Sequence, residues 1–334
     1  IVASLMTFRL ATGVVTLLLF GTPAHAVDLG RPDVEAFIDS MVSQHNYDRE
    51  SLRDILGEAE KQQSVLDAIS RPAERTLSWG EYRKIFITKE RINAGAAFWR
   101  ENRAELEDIA KRTGVPVEML VGIIGVETYY GRITGGYRVL DALATLAFYY
   151  PPRSKFFRSE LEQFLLLIRE EDMNPADAFG SYAGAMGRPQ FMPSSFRAYA
   201  VDSTGDGKRD IWNNWKDVAG SIANYFNAHG WRTGEEVTTQ ATIGSRWSGP
   251  FPKNILKAED TVGSLSEMGV MFTTTKGSEA AAQLLTLEGA DGDEHWVGFH
   301  NFFVITRYNR SVMYALAVHQ LGQEIALVVR GDAS

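Results

Sequence analysis

Hydrophobic residues recur at helical spacing through the first third of the chain. Val34, Phe37, Ile38 and Met41 fall at i, i+3, i+4 and i+7, one stripe of an amphipathic helix. Leu52, Ile55 and Leu56 continue the pattern, as do Val65, Leu66 and Ile69, until Ser70-Arg71-Pro72 breaks it. Residues 83–106 read as further helix with Ile85, Ile92, Ala96, Trp99 and Leu106 on the buried side, although Gly95 costs it about 1 kcal/mol relative to alanine. Thr113-Gly114-Val115-Pro116 closes one helix and opens the next, since Pro is pre-set for a first helical turn. More helices are expected over 116–127, 140–149, 155–169, 193–200, 218–228 and 314–329. From about Thr233 to Arg307 the pattern shortens, with Thr-rich runs such as Val237-Thr238-Thr239-Gln240 and Met271-Phe272-Thr273-Thr274-Thr275. Trp296-Val297-Gly298-Phe299 alternates, and Phe302-Phe303-Val304-Ile305-Thr306 reads as a buried strand. The pattern predicts a mainly α, α+β chain with a small β-rich subdomain.

A length of 334 residues suggests about two domains, and a hydrophobic share of 45% allows a sizeable core. The net charge of −8 and the lack of any basic block argue against nucleic acid as a partner. Without cysteine there is no disulfide, thiolate nucleophile, Cys-based zinc site or lipidated N-terminal Cys. Residues 1–26 have the form of a secretory signal peptide: Arg9, an apolar run from Leu10 to Phe20, then the small-x-small site Ala24-His25-Ala26. Met6 suits an initiator better than Ile1, and cleavage before Val27 would leave the chain one unit more negative. The apolar run is shorter than the roughly 20 residues a span needs. A periplasmic protein is expected, neither lipid-anchored nor membrane-spanning after cleavage.

The chemistry centres on Glu127, the only charged residue between Glu118 and Arg132, within Gly122-Ile123-Ile124-Gly125-Val126-Glu127-Thr128-Tyr129-Tyr130-Gly131. Desolvation and the C-terminal end of a helix dipole both disfavour a carboxylate there, raising its pKa toward general-acid values. A plainer alternative is a helix-end glutamate capping a backbone group. The stretch from Ser181 to Ser195 is rich in small residues that let backbone approach a ligand, and Gln190 supplies an amide donor and acceptor. By composition alone it is a loop before a helix starting at Pro193-Ser194-Ser195. Asp202-Ser203-Thr204-Gly205-Asp206-Gly207-Lys208-Arg209-Asp210 matches the opening of an EF-hand loop, with candidate ligands Asp202, Thr204, Asp206, Lys208 through its carbonyl, and Asp210. Asn213 replaces the closing Glu, so Asp217 would close a longer loop around a structural Ca²⁺ or Na⁺; the alternative is an ion-free Asx turn. In Arg307-Tyr308-Asn309-Arg310-Ser311-Val312-Met313-Tyr314, Asn309 suits a helix cap, while Tyr308 and Tyr314 suit either sugar stacking or packing.

These segments, together with Ile211-Trp212 and Asn224-Tyr225-Phe226, occur in an order that resembles the membrane-bound lytic murein transglycosylase B family, glycoside hydrolase family 103, over residues 32–323. The resemblance implies a lysozyme-like catalytic core at 113–232 containing the 202–217 loop, and a helical accessory region at 27–112. It further implies a β-rich subdomain at 233–304 and a C-terminal segment, 305–334, packing back on the core. Glu127 matches the family's acid/base; Ser181, Gln190, Tyr225, Tyr308, Asn309 and Tyr314 match residues lining its glycan cleft. Arg153 stands where the family often has paired arginines, one replaced here by Pro152, and Arg188-Pro189 departs from a Tyr-Gly of some members. The implied activity is cleavage of the MurNAc-GlcNAc β-1,4 bond of peptidoglycan with 1,6-anhydro-MurNAc ends, needing no cofactor for the chemistry. Implied partners are glycan strands and cell-wall synthesis or remodelling proteins. Competing expectations are a hydrolytic muramidase on the same scaffold and a non-catalytic peptidoglycan-binding envelope protein.

Overall fold

The computed structural model describes residues 25–71, 77–247, 251 and 253–331. The expected signal segment therefore lies outside the described residues except for its last two positions, as does Pro72 at the expected helix break. In chain order the helices are α1 (Pro32–His45), α2 (Arg49–Gly57), α3 (Gln63–Ser70), α4 (Trp79–Phe86), α5 (Lys89–Glu101), α6 (Arg103–Thr113) and α7 (Val117–Thr128). They continue as α8 (Val139–Tyr149), α9 (Ser154–Glu170), α10 (Pro193–Tyr199), α11 (Trp215–Ala228), α12 (Val262–Glu267), α13 (His300–Tyr308) and α14 (Val312–Gly331). The strands are β1 (His25–Ala26), β2 (Glu60–Lys61), β3 (Tyr137–Arg138), β4 (Phe179–Gly180), β5 (Thr238–Ile243), β6 (Asp260–Thr261), β7 (Val270–Phe272), β8 (Ala281–Glu288) and β9 (Asp293–Gly298). They fall into two compact units interleaved along the chain: Ile1–Pro72 with Thr134–Ala198, and Ala73–Ile133 with Tyr199–Ser334.

In the first unit the apolar stripe of α1 is buried as its spacing predicts, at Val34, Phe37, Ile38 and Met41. Asp48 starts α2 by accepting the Ser51 N–H at 2.8 Å. Helix α8 is buried on nearly every side and packs along α9, whose apolar face includes Phe157, Leu161, Phe164, Leu165 and Ile168. The one carboxylate inside α8, Asp141, accepts the Glu60 N–H at 2.9 Å and an Arg138 N–H at 2.7 Å, which ties β2 to this helix.

In the second unit the expected continuous helix over 83–106 is divided among α4, α5 and α6. Ser78 and Glu81 form a reciprocal capping box at the start of α4. The Thr88 hydroxyl accepts the Arg91 N–H at 3.1 Å and starts a new helix, and Asn102 interrupts again before α6. The expected strand at 302–306 is instead part of α13. Phe302, Ile305 and Thr306 are buried at helical spacing, and a short apolar run cannot be assigned to strand or helix by periodicity alone. Asn309 does not cap the next helix. It ends α13 in extended conformation, and the Ser311 hydroxyl accepts the Tyr314 N–H at 3.3 Å at the start of α14. The sheet is antiparallel, in the order β6-β8-β9-β5-β7, over a core that includes Leu265, Val270, Leu284, Val297 and Phe299.

Helix α14 is long and apolar enough by composition to cross a membrane, yet most of it is buried as the central helix of this unit, beside α4, α5, α7 and α13. It meets α7 almost backbone to backbone. A Cβ on Gly122 would lie 2.5 Å from the Val318 carbonyl oxygen, and one on Gly322 would lie 2.2 Å from that of Glu118. Alanine in a helix gains up to about 1 kcal/mol over glycine. The opposing atoms are backbone and cannot rotate aside, so overpacking of about 1–3 kcal/mol outweighs that gain. Gly122→Ala and Gly322→Ala are each expected to lower the urea midpoint despite their better helix propensity; unchanged midpoints would contradict this packing.

Candidate active site

Glu127 is the penultimate residue of α7, and the chain beyond it turns left-handed over three positions: Tyr129 (φ 50°), Tyr130 (φ 58°) and Gly131 (φ 81°). Two consecutive non-glycine residues in this region carry a steric cost, which the surroundings must offset. The Tyr129 and Tyr130 N–H groups return to the carbonyls of Gly125 and Ile124 at 3.2 and 3.3 Å. Arg91 on α5 is buried and donates to the Gly125 carbonyl at 2.6 Å, with its guanidinium 4.5 Å above the Tyr129 ring. The Tyr130 hydroxyl donates back to the Arg91 carbonyl at 2.9 Å. Its ring occupies the slot left by Gly95 and Gly125, where added Cβ atoms would lie 2.4 and 2.8 Å from that hydroxyl. The glycine that weakens α5 as a helix thus leaves room for a tyrosine that holds the end of α7.

The Glu127 side chain is partly exposed, yet protein surrounds its carboxyl closely enough that desolvation is the main influence and raises its pKa. The Tyr314 hydroxyl works the other way, donating to Oε1 at 2.5 Å and favouring the ionised form. Tyr82, Tyr308 and Tyr314 all sense this carboxylate: their own ionisation is pushed upward first by burial and then by the Glu127 charge. Tyr308 packs against Tyr225 with ring centroids 4.9 Å apart, and Tyr225 donates to the Arg307 carbonyl at 2.6 Å. The Asn309 side chain has no hydrogen-bond partner among the described residues. The sequence pattern singles out Tyr225, Tyr308, Asn309 and Tyr314 but not Tyr82, which lies near Glu127 and whose buried hydroxyl makes no hydrogen bond among the described residues. The capping box in front of α4 marks the helix that carries it; nothing local marks its role.

Ser181, Gln190 and Arg153 lie in the first unit. The Ser181 oxygen accepts the N–H groups of Ala183 and Ala185 at 3.3 and 3.1 Å, leaving its own proton to donate. Gln190 has left-handed backbone (φ 54°), and its Nε2 donates to the carbonyls of Thr134 and Gly187 at 3.0 and 2.9 Å. Its Oε1 remains an acceptor. Arg153 is exposed, its guanidinium 4.5 Å above the Phe156 ring.

In the 202–217 loop the backbone amides hold the acids. Asp202 accepts from the N–H groups of Thr204, Gly205 and Gly207, and Asp206 from that of Lys208. Asp210 accepts from Trp212 and Asn213. Asp217 is fully buried, accepts from Ser203 and Asp210, and has its pKa raised by desolvation. The carboxylate oxygens of Asp202, Asp206, Asp210 and the buried Asp217 are of the kind a hard cation takes, although backbone N–H groups now occupy them. No group of three or more His, Cys, Asp or Glu is gathered as a metal cage among the described residues, so a cation would have to displace some amide bonds.

A carboxyl whose pKa is higher folded than unfolded binds its proton more tightly in the folded chain. It therefore costs stability as pH rises above the unfolded value of about 4.3. Glu127→Gln is expected to melt above the parent at pH 7, with the two Tm values converging as pH falls below that value. A parent that matches or exceeds the variant at neutral pH would contradict the desolvation of this site.

Residues 30–323 match the Transglycosylase SLT domain family. Membrane-bound lytic murein transglycosylase B of Escherichia coli (strain K12) is 43% identical over 305 residues, which cover 89% of this chain and 83% of that protein. Among solved structures, catenated lytic transglycosylase SltB1 from Pseudomonas aeruginosa is 48% identical, with a TM-score of 0.84 over 90% of this chain and 99% of that one. Escherichia coli lytic transglycosylase Slt35 in complex with calcium is 42% identical, with a TM-score of 0.81 over 92% and 97%. Helical architecture, ordered motifs and near full-length similarity agree: the chain belongs to the SLT-domain lytic transglycosylases, in the family of membrane-bound lytic murein transglycosylase B.

Proposed function

We propose that this protein is a lytic transglycosylase that cuts the β-1,4 bond between MurNAc and GlcNAc in peptidoglycan and leaves a 1,6-anhydro-MurNAc end. The observation that carries the reading is the enclosed Glu127 carboxyl, pushed toward its acid form by desolvation and bonded by the Tyr314 hydroxyl. As an acid, Glu127 protonates the glycosidic oxygen while the C1–O bond breaks, and GlcNAc departs as an alcohol. The muramyl N-acetyl oxygen stabilises the positive charge at C1, as in substrate-assisted glycosidases that need no second carboxylate. Glu127 is then ionised, and the Tyr314 donor stabilises that form. The carboxylate takes the C6 hydroxyl proton as that oxygen attacks C1, closing the anhydro ring without consuming water. Desolvation favours the acid step and the tyrosine the base step, so one residue serves both near a single pKa.

In this reading Ser181, Gln190 and Asn309 orient N-acetyl and hydroxyl groups, while Tyr225, Tyr308 and Arg153 contact the strand. The segments 113–232, 27–112, 233–304 and 305–334 keep the catalytic, accessory, β-rich and C-terminal roles that the resemblance implies. The enzyme works in the periplasm after removal of residues 1–26, among proteins that build or remodel the wall. Asp202, Thr204, Asp206, the Lys208 carbonyl, Asp210 and Asp217 would hold a structural Ca²⁺, which would stiffen their loop without entering the reaction.

Glu127→Gln is expected to stay folded and lose about 10²–10⁴-fold of sacculus cleavage. Parent activity falls as pH rises through the raised Glu127 pKa, because the acid form begins the reaction. Mass spectrometry of the muropeptides separates the outcomes: anhydro ends support the transglycosylase, while ends heavier by one water indicate a muramidase. For the loop, Ca²⁺ is expected to raise Tm, and Asp202→Ala to remove the rise; a parent Tm indifferent to Ca²⁺ would mean the amide-bonded loop needs no ion.

A further inference from the structure

A groove lies within the same unit as Glu127, with walls from β5, β9, α4 and α14. It encloses about 580 Å³ and is lined by residues that include Arg83, Gln240, Asp293, Trp296, Gln320 and Gln323. A cavity of about 560 Å³ shares His319 and Gln323 with it. Each is within the roughly 300–1,000 Å³ typical of small-ligand sites. Glu127, Tyr225, Tyr308 and Tyr314 line neither. Gln323 follows Tyr314 on α14 by about two and a half turns, which places it on the opposite face of the helix.

The groove is preorganised. A single Glu294 oxygen accepts the indole N–H of Trp79 at 3.1 Å and that of Trp296 at 3.4 Å, which fixes the partly exposed Trp296 ring. Arg83 donates through Nε to the Gln320 side-chain oxygen at 3.0 Å, orienting that amide so that its N–H groups remain to donate. The side chains of Gln240 and Gln323 make no hydrogen bond among the described residues. His319 lines both cavities; its shielded Nδ1 has no partner among the described residues, and burial lowers its pKa to about 4, so the ring is neutral. An aromatic plate beside amides that donate and accept suits sugar hydroxyl and N-acetyl groups. Asp291, Asp293, Glu294 and Glu324 outnumber the one lining cation, Arg83, which disfavours carboxylate-bearing peptide stems.

We propose that this groove is a second, non-catalytic glycan site that binds uncharged β-linked N-acetylhexosamine units. Two attachment points on one polymer raise the effective concentration of the strand at the catalytic site without adding any contact there. The inference rests on murein as the polymer this enzyme meets, and the test reads binding rather than cleavage so that the two ideas fail separately.

The test is an NMR titration of full-length Glu127→Gln with chitotetraose, following the Trp296 indole N–H. The expected result is a saturable shift of that signal, weakened about tenfold in a Trp296→Ala companion when binding is read from Gln320 instead. Should Trp296→Ala misfold, Gln240→Ala/Gln323→Ala removes two solvent-accessible amides that make no hydrogen bond among the described residues, and the same weakening is expected. With Glu127 restored, that double variant keeps its turnover of short soluble glycans and binds sacculi less well. An unmoved Trp296 signal overturns the proposal, as does a signal that moves with a free diamino-acid stem peptide and not with chitotetraose. Intact chitotetraose binding in a parent that cleaves nothing would instead overturn the catalytic reading.

Discussion

The site depends on two glycines that let α7 and α14 touch through their backbones. Gly122 faces the Val318 carbonyl and Gly322 faces that of Glu118, so the helices lie closer than any side chain would allow. That spacing sets where the Tyr314 hydroxyl meets Glu127, at 2.5 Å. Each glycine gives up about 1 kcal/mol of helix propensity. The geometry gained cannot be made another way, since a wider interface would leave a buried carboxyl without its donor, a larger penalty for a charged group.

The same economy explains the strained end of α7. The chain after Thr128 does not continue as right-handed helix. Instead Tyr129 and Tyr130 adopt left-handed backbone, and Arg91 and the Tyr130 hydroxyl lock the turn from both sides. Among the described residues Arg91 has no acidic partner; its charge faces the carbonyl end of α7 and the face of Tyr129. A cation placed there compensates the negative helix end, while Glu127 is left with desolvation and Tyr314 as its opposing influences.

Local pattern carried much of this into view. Glu127 stood out as one charge within an apolar run, and the α1 stripe, the α8 and α9 helices and the Gly114 break followed from spacing and turn chemistry. The failures share a physical cause. Phe302 to Thr306 is apolar on a short stretch, and only the packing of α13 distinguishes helix from strand. The breaks at Thr88 and Asn102 depend on which backbone groups their side chains capture, in competition with continued helix. Gly95 looked like a weakness because its use, admitting Tyr130, is a contact distant in sequence. Tyr82 was invisible for the same reason.

The interleaving of the two units is the remaining fact that no local pattern contains. Ser181 and Gln190 are shaped by β4, α8 and the turn around Gly187, whereas Glu127 and its tyrosines are shaped by α4, α5, α7 and α14. Each set is rigid for its own reasons: backbone amides occupy the Ser181 oxygen, carbonyls hold the Gln190 amide, and glycine contacts fix Tyr314. Asp141 of α8 is buried and bonded to Arg138 and the Glu60 amide, a structural role. With Asp141 so committed, a mechanism in which the substrate supplies its own nucleophile asks nothing more of the protein than Glu127 and the groups that move its pKa in opposite directions.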